Sequence, residues 1–120
     1  MDNSQALTFL RRYFEDVFVR RNVDALDDYL HQEYFDGDIG ESASDHVRNS
    51  KEFLKRWFAE EPTIGVEVKD AVTHDGVISA FLEWSVAGNG IRTPLQKGVA
   101  VFALKDGKII RRNTFIYWKR

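Results

Sequence analysis

The chain has no cysteine, which excludes disulfides, thiolate metal sites and thiol nucleophiles. It has only two prolines, Pro62 and Pro94, and both fall where one element should give way to the next. Neither sign of charge dominates. Seventeen Lys and Arg stand against 19 Asp and Glu, for a net charge of −2, and the two signs are interspersed. That balance gives no general attraction to nucleic acid or to an anionic membrane, so neither is expected as a partner. The longest uncharged apolar run, Gly98 to Leu104, is about seven residues, far short of a membrane span. Met1 to Leu10 carries Asp2 and lacks a basic flank followed by an apolar core, so no signal peptide is expected and the cytoplasm is the expected compartment. Repeats, low-complexity tracts and linkers are missing as well.

Aromatic residues are what the chain has in quantity: nine Phe, four Tyr and three Trp in 120 residues. The length suits one domain, residues 1–120, with a substantial core. So many rings in so short a chain mean a large core, a lined cavity or a buried interface.

The order of elements is α+β. Leu7, Leu10, Phe14 and Val17 recur at helical spacing and predict a first helix from about Ser4 to Arg20, with Tyr13 and Phe18 widening the stripe. Asn22 is positioned to cap a second helix, whose buried face is Val23, Leu26, Tyr29 and Leu30. Residues Glu33 to Ser44 hold Gly37, Gly40 and a group of acids, and read as irregular or as a short edge strand. A third helix follows from about Asp45 to Glu60, with Phe53, Leu54, Trp57 and Phe58 inward and Lys51, Lys55 and Arg56 in solvent.

After Pro62 the period changes from helix to strand. Asp75-Gly76 and Asp106-Gly107 each lie between apolar runs, the strongest short-range hairpin signal, because both turn residues need φ > 0. Gly88-Asn89-Gly90 reads as a Gly-rich connection. Alternation puts Ile78, Ala80, Leu82, Trp84 and Val86 on one face, expected to be concave and packed on the helices. Ala100, Phe102 and Leu104 should join them. In the last strand Arg112, Thr114, Ile116 and Trp118 share a face, unless a bulge switches it. Phe81, Val99, Val101, Phe115 and Tyr117 then fall on the convex side. Such a face is covered either by packing within the chain or by a sheet-to-sheet homodimer, and the homodimer is the expected partner.

Taken together, these pieces resemble the NTF2-like superfamily, and within it the SnoaL-like (polyketide-cyclase-like) group. The resemblance runs almost end to end. It rests on Asn22-Val23-Asp24-Ala25-Leu26 after the first helix, Glu33-Tyr34-Phe35-Asp36-Gly37-Asp38, the helix SKEFLKRWF, the strand AFLEWSVAG and the terminal hairpin KGVAVFALKDGKI. It implies a cone: three N-terminal helices packed in a curved, mostly antiparallel sheet, with a cavity at the open end and frequent dimers. It also implies a small hydrophobic, carbonyl-containing ligand and no cofactor, because an enolate is reached by proton transfer alone. The functions of such relatives are diverse, so fold alone does not deliver function.

Ketosteroid-isomerase-like relatives pair a carboxylate base with donors that stabilise an enolate. The resemblance points to Asp38 as the base, with Asp36 next. Both acids also fit a solvated turn beside two glycines. Tyr13 matches a helix-one tyrosine that serves as oxyanion donor, and fits equally a rim tyrosine. A second acid of that pair falls on Ala100, and the final-strand aspartate of cyclase-like relatives falls on Thr114, or on Asn113 if the register slips. Two usual acid positions are therefore neutral in this chain. Arg112, if inward, binds a carboxylate or phenolate, or pairs with Asp36 or Asp38; otherwise it is a solvated strand end. Trp57, Trp84 and Phe102 are expected as cavity wall or core. His31, His46 and His74 show no ligand spacing, so no metal is expected. Two readings result: a cofactor-free acid–base isomerase or cyclase, and a non-catalytic ligand-binding or dimerising module.

Overall fold

Asp2 opens the first helix with a reciprocal cap: its carboxylate accepts the Gln5 amide and the Gln5 side chain accepts the Asp2 amide, each at 2.8 Å. The computed structural model describes residues 1–120, except for the side chain of Ser42. Helix α1 spans Asn3–Phe14 and buries Ala6, Leu10, Tyr13 and Phe14. The helix expected to reach Arg20 changes character before it gets there. Glu15–Val19 form a π-helical turn, with the Arg20 amide reaching back to the Glu15 carbonyl at 3.1 Å. The wider turn keeps both Val17 and Phe18 buried against the core.

Asn22 does not cap a helix with its side chain. Its backbone carbonyl accepts the Ala25 amide at 3.1 Å and starts a 3₁₀ turn, Val23–Ala25, which leads into the short helix α2, Leu26–Tyr29. Helix α3, His46–Glu60, is capped by Asp45, whose carboxylate accepts the Arg48 amide at 3.0 Å. Lys51 departs from the expected solvated role. Its ammonium pairs with Asp27 at 2.9 Å and Asp24 at 3.5 Å, tying α3 to the segment around α2. Both partners are exposed, so the tie is worth under about 1 kcal/mol.

The sheet has strands β1 (Leu30–Asp36), β2 (Gly65–His74), β3 (Val77–Gly88), β4 (Ile91–Lys105) and β5 (Lys108–Lys119) in the order β1-β5-β4-β3-β2. All neighbours are antiparallel except β1 and β5, which run parallel. Of the segment read as irregular or a short edge strand, Glu33 to Asp36 lie in edge strand β1, which starts earlier, at Leu30, and the rest is a turn followed by a 3₁₀ turn, Gly40–Ser42. The two Asp-Gly turns have φ of 50° and 77°, and of 53° and 76°. The Gly-rich connection is a third such turn, Asn89-Gly90, with φ of 52° and 76°.

Ile78, Ala80, Leu82, Trp84, Ala100 and Phe102 are buried on the concave face. Bulges in β5 decide what else joins them. Lys97 pairs with Trp118 while Gly98 pairs with Ile116, so Tyr117 has no partner and the alternation reverses. Ile116 therefore points inward with Thr114 and Arg112, whereas Trp118 turns outward beneath the Lys97 ammonium, 5.2 Å from its ring. Gly98 makes the approach possible: a Cβ there would stand 2.8 Å from the Phe115 carbonyl and 2.9 Å from the Ile116 side chain. On the convex side Phe81, Val99 and Phe115 form one cross-strand row. Phe81, Phe115 and Tyr117 are exposed. Among the described residues no helix is long and apolar enough to cross a membrane.

Candidate functional site

A cavity of about 410 Å³ lies between the helices and the concave face. Its apolar lining comes from Phe18 after α1, Leu26 and Leu30 around α2, Leu54 and Trp57 of α3, and Trp84 of β3. Its polar lining comes from Tyr13, Tyr34, Asp36, Asp38, Arg112 and Thr114, with Ser50 and Gln96 alongside. The volume falls in the range of small-molecule sites.

The two acids are placed differently. Asp36 ends β1 in register with Arg112 and is half-buried. Its amide donates to Nδ1 of His46 at 2.9 Å, and its Oδ1 accepts the Asp38 amide at 2.9 Å. Oδ2 of Asp36 has no partner among the described residues. Asp38 is exposed at the rim, and both its carboxylate oxygens share the Thr114 amide, at 3.0 and 3.1 Å. Gly37 between them lies against Asn113; a Cβ at Gly37 would fall 2.0 Å from its side-chain nitrogen. The loop after β1 is therefore fastened to β5.

Arg112 stands on β5 with its guanidinium 5.3 Å above the Phe102 ring, and its Nε donates to Thr114 Oγ1 at 3.1 Å. Tyr13 reaches the same place from α1, edge-on to Phe14, Tyr29 and Phe102. Burial pushes the Tyr13 phenol pKa up; the Arg112 charge and a hydrogen bond from Arg112 oppose that rise, and the Asp36 charge adds to it. Tyr34, from β1, is raised too, again by burial first, with the Arg112 charge and a hydrogen bond from Ser50 pulling the other way. Both phenols are neutral at physiological pH.

The structure brings Tyr13, Asp36, Asp38, Trp57, Trp84, Arg112 and Thr114 to one cavity. Phe102 is not on its surface. It is fully buried behind Arg112 and supports the guanidinium from below. Three participants escaped the sequence reading. Tyr34 of β1 and Ser50 of α3 both line the cavity, and His46, 7% exposed, stacks on Phe35 with ring centroids 4.5 Å apart while accepting the Asp36 amide. Alternation along β1, with Leu30 and Tyr34 buried, was the available signal for Tyr34. Among the described residues no group of three His, Asp or Glu stands close enough to hold a metal.

Residues 10–112 match the family model of the SnoaL-like domain. A search of curated proteins gives no match. Among solved structures, TsrD from Streptomyces laurentii is similar at 14% identity and a TM-score of 0.77, covering 98% of this chain and 91% of that one. A SnoaL-like polyketide cyclase from Agrobacterium tumefaciens has 15% identity and a TM-score of 0.72, over 92% and 90% of the two chains. TerC, co-crystallised with polyporic acid, has 16% identity and a TM-score of 0.65, over 84% and 83%. At these identities the likeness is one of fold.

Proposed function

This chain belongs to the SnoaL-like domain family, and we propose that it binds a small hydrophobic, carbonyl-containing ligand in the cone and moves a proton on it without a cofactor, as an isomerase or cyclase does. The observation that carries this reading is a half-buried carboxylate, Asp36, with one oxygen unengaged, in a largely apolar cavity that also holds Tyr13, Arg112 and Thr114. Such an acid takes a proton from carbon next to a carbonyl when the hydroxyls opposite receive the developing charge. Asp36 is the better base because Asp38 is exposed and has both oxygens on the Thr114 amide. Trp57 and Trp84 offer flat walls suited to an aromatic or polycyclic ligand. The similar protein TerC was co-crystallised with polyporic acid.

The protein works in this reading as a single cytoplasmic domain, paired with a second copy through the row Phe81, Val99 and Phe115. A purely associative module would need no open cone, and the 410 Å³ cavity argues for the ligand.

The test is a thermal-shift and tryptophan-fluorescence titration with 2-acetonaphthone and 1-indanone. A ligand at 100 times its Kd stabilises the fold by about 2.7 kcal/mol. Saturable quenching together with a raised Tm supports the reading. No response to either ketone, in fluorescence or in Tm, overturns it in favour of the associative module.

A further inference from the structure

We propose that β1 is an acid-released strand: two histidines hold its outer amides, and protonation of their rings undoes the hold and loosens the part of the cavity wall that Tyr34 and Asp36 form. The release itself is independent of the ligand reading above; its effect on a bound ketone rests on that reading.

The hold is made twice in the same way. Nδ1 of His31 accepts the Glu33 amide at 3.0 Å, and Nδ1 of His46 accepts the Asp36 amide at 2.9 Å. β1 is an end strand with β5 as its one neighbour, so these amides find no strand partner and depend on side chains. The opposite edge, β2, is closed by other chemistry. The Asn3 side chain accepts the Thr73 amide at 2.9 Å, and Arg11 donates to the Val68 carbonyl at 3.2 Å. An amide side chain and a guanidinium do not titrate near neutrality.

On β1 the atom that holds is the atom that takes the proton. An accepting Nδ1 carries no hydrogen, so the neutral ring bears its one proton on Nε2, and a second goes to Nδ1. That sets one N–H against another, and the bond is lost. Histidine is the side chain that makes this change between about pH 5 and 8.

The surroundings of both rings accommodate the positive form. His31 Nε2 lies 3.9 Å from an Asp106 oxygen in the turn before β5. β5 brings one cation to that end of β1, Lys108, whose ammonium donates to the Asp27 carbonyl of α2 at 3.2 Å. His46 shares an open groove beside β1 with Glu33, Glu41 and Asp45, and Asp36 stands at its Nδ1. The cation on that side is Arg111 of β5, 5.0 Å from the ring of Phe35, on which His46 stacks. Carboxylates outnumber cations around His46, and His31 has one within reach, so the charged rings stay and the strand gives way. Tyr34 and Asp36 are lining residues, and they move with it.

The test is amide hydrogen exchange of the ligand-free protein, followed by NMR at about pH 7.5 and about pH 5.5, across the histidine range. Each rate is referred to the intrinsic rate at its own pH. Protection at Glu33 and Asp36 should fall about tenfold on acidification, the worth of one net hydrogen bond at each amide, while Thr73 keeps its protection. His31→Asn and His46→Asn put a side-chain oxygen near the place of Nδ1, and the doubly substituted chain should protect both amides equally at the two pH values. Circular dichroism checks that it is folded, and the comparison of Glu33 and Asp36 with Thr73 in the wild type decides without it. Unchanged protection at Glu33 and Asp36 in acid, an equal fall at Thr73, or a fall that survives in the doubly substituted chain overturns the inference. Quenching by 2-acetonaphthone should weaken in the wild type over the same range and hold in the doubly substituted chain. Equal affinity at both pH values in the wild type overturns the link to the cavity. No quenching at either pH overturns the ligand reading and leaves the released strand standing.

Discussion

The Asp36 amide and the His46 ring are joined by a 2.9 Å hydrogen bond in which Nδ1 of the histidine is the acceptor. The first residue of α3 thereby holds the last residue of β1, and with it the free carboxylate oxygen of the site. His46→Phe keeps a ring against Phe35 but leaves the half-buried Asp36 amide without an acceptor, which costs about 1–3 kcal/mol. Urea unfolding should register that loss. His46→Asn, with a side-chain oxygen near the same place, should recover part of it. Equal stability of the Phe variant and the wild type would show that the bond contributes nothing.

Asp36 and Asp38 can be told apart by hydrogen exchange at carbon. In D₂O the methyl protons of bound 2-acetonaphthone should exchange for deuterium, and NMR follows their loss. Asp36→Asn should slow that exchange by about 10²-fold or more, the usual size of a general-base contribution. Asp38→Asn should leave it within a few-fold, because that carboxylate faces the Thr114 amide. The reverse ranking would move the base to the rim.

Gly98 is a packing constraint, not a turn. Gly98→Val puts a branched side chain against a backbone carbonyl 2.8 Å from the first carbon, so β5 must move. The expected destabilisation is about 1–3 kcal/mol. Thermal unfolding should show a lower Tm, and quenching by the ketone should weaken because Ile116 lines the cavity.

Alkali should unfold this protein through its tyrosines. Tyr29 is pushed up to about 12 by burial, and then by its hydrogen bond to the Asp16 carboxylate and by that charge; Tyr13 and Tyr34 are raised too, by burial first. The sign is that of an acid held protonated in the fold. The unfolded chain releases these protons near pH 10, the folded chain later, so the contribution is complete below pH 10 and is lost as pH rises toward 12. Tyr29→Phe should be less stable at neutral pH, by about 1.5 kcal/mol for a hydrogen bond to a charged acceptor, and should lose stability less steeply between pH 10 and 12. Parallel pH curves for the two proteins would exclude the effect.

The convex row predicts assembly. Phe115 is 60% exposed and Phe81 48%, on a face that also carries Tyr117. Light scattering should give a dimer for the wild type and a monomer for Phe115→Lys, with ligand binding kept in the monomer because Phe115 points away from the cavity. A wild-type monomer at micromolar concentration would rule out this interface.

Most of the scaffold could be read from the residues because its determinants are local. Two Asp-Gly pairs need positive φ, and the alternation through Ile78, Ala80, Leu82 and Trp84 fixes which side is buried. What the sequence hid depends on partners far along the chain. Trp118 shares parity with Arg112, yet Tyr117 bulges against β4 and turns it outward, and register between strands leaves no local mark. Phe102 was expected as wall or core and became the support beneath Arg112. Nothing near His46 announces that its ring will meet an amide ten positions earlier. The first helix ends where its periodicity says, at Val19 with Arg20 as cap, but nothing local marks the change to a wider turn after Phe14.

The parallel pairing of β1 with β5 joins two segments at opposite ends of the chain, whereas β2 to β5 are linked by two-residue turns. Closing so long a loop carries an entropic cost that the meander avoids. Edge strand β1 should therefore dock late in folding and come away first in the native ensemble, and its amides should be among the fastest of the sheet to exchange with solvent. Asp36 sits on β1 and Arg112 on β5, so a molecule held by both would clip the loosest seam of the sheet to its neighbour. Occupancy would be written as slowed amide exchange along Leu30–Asp36, even for a ligand that leaves the coordinates of the fold unchanged.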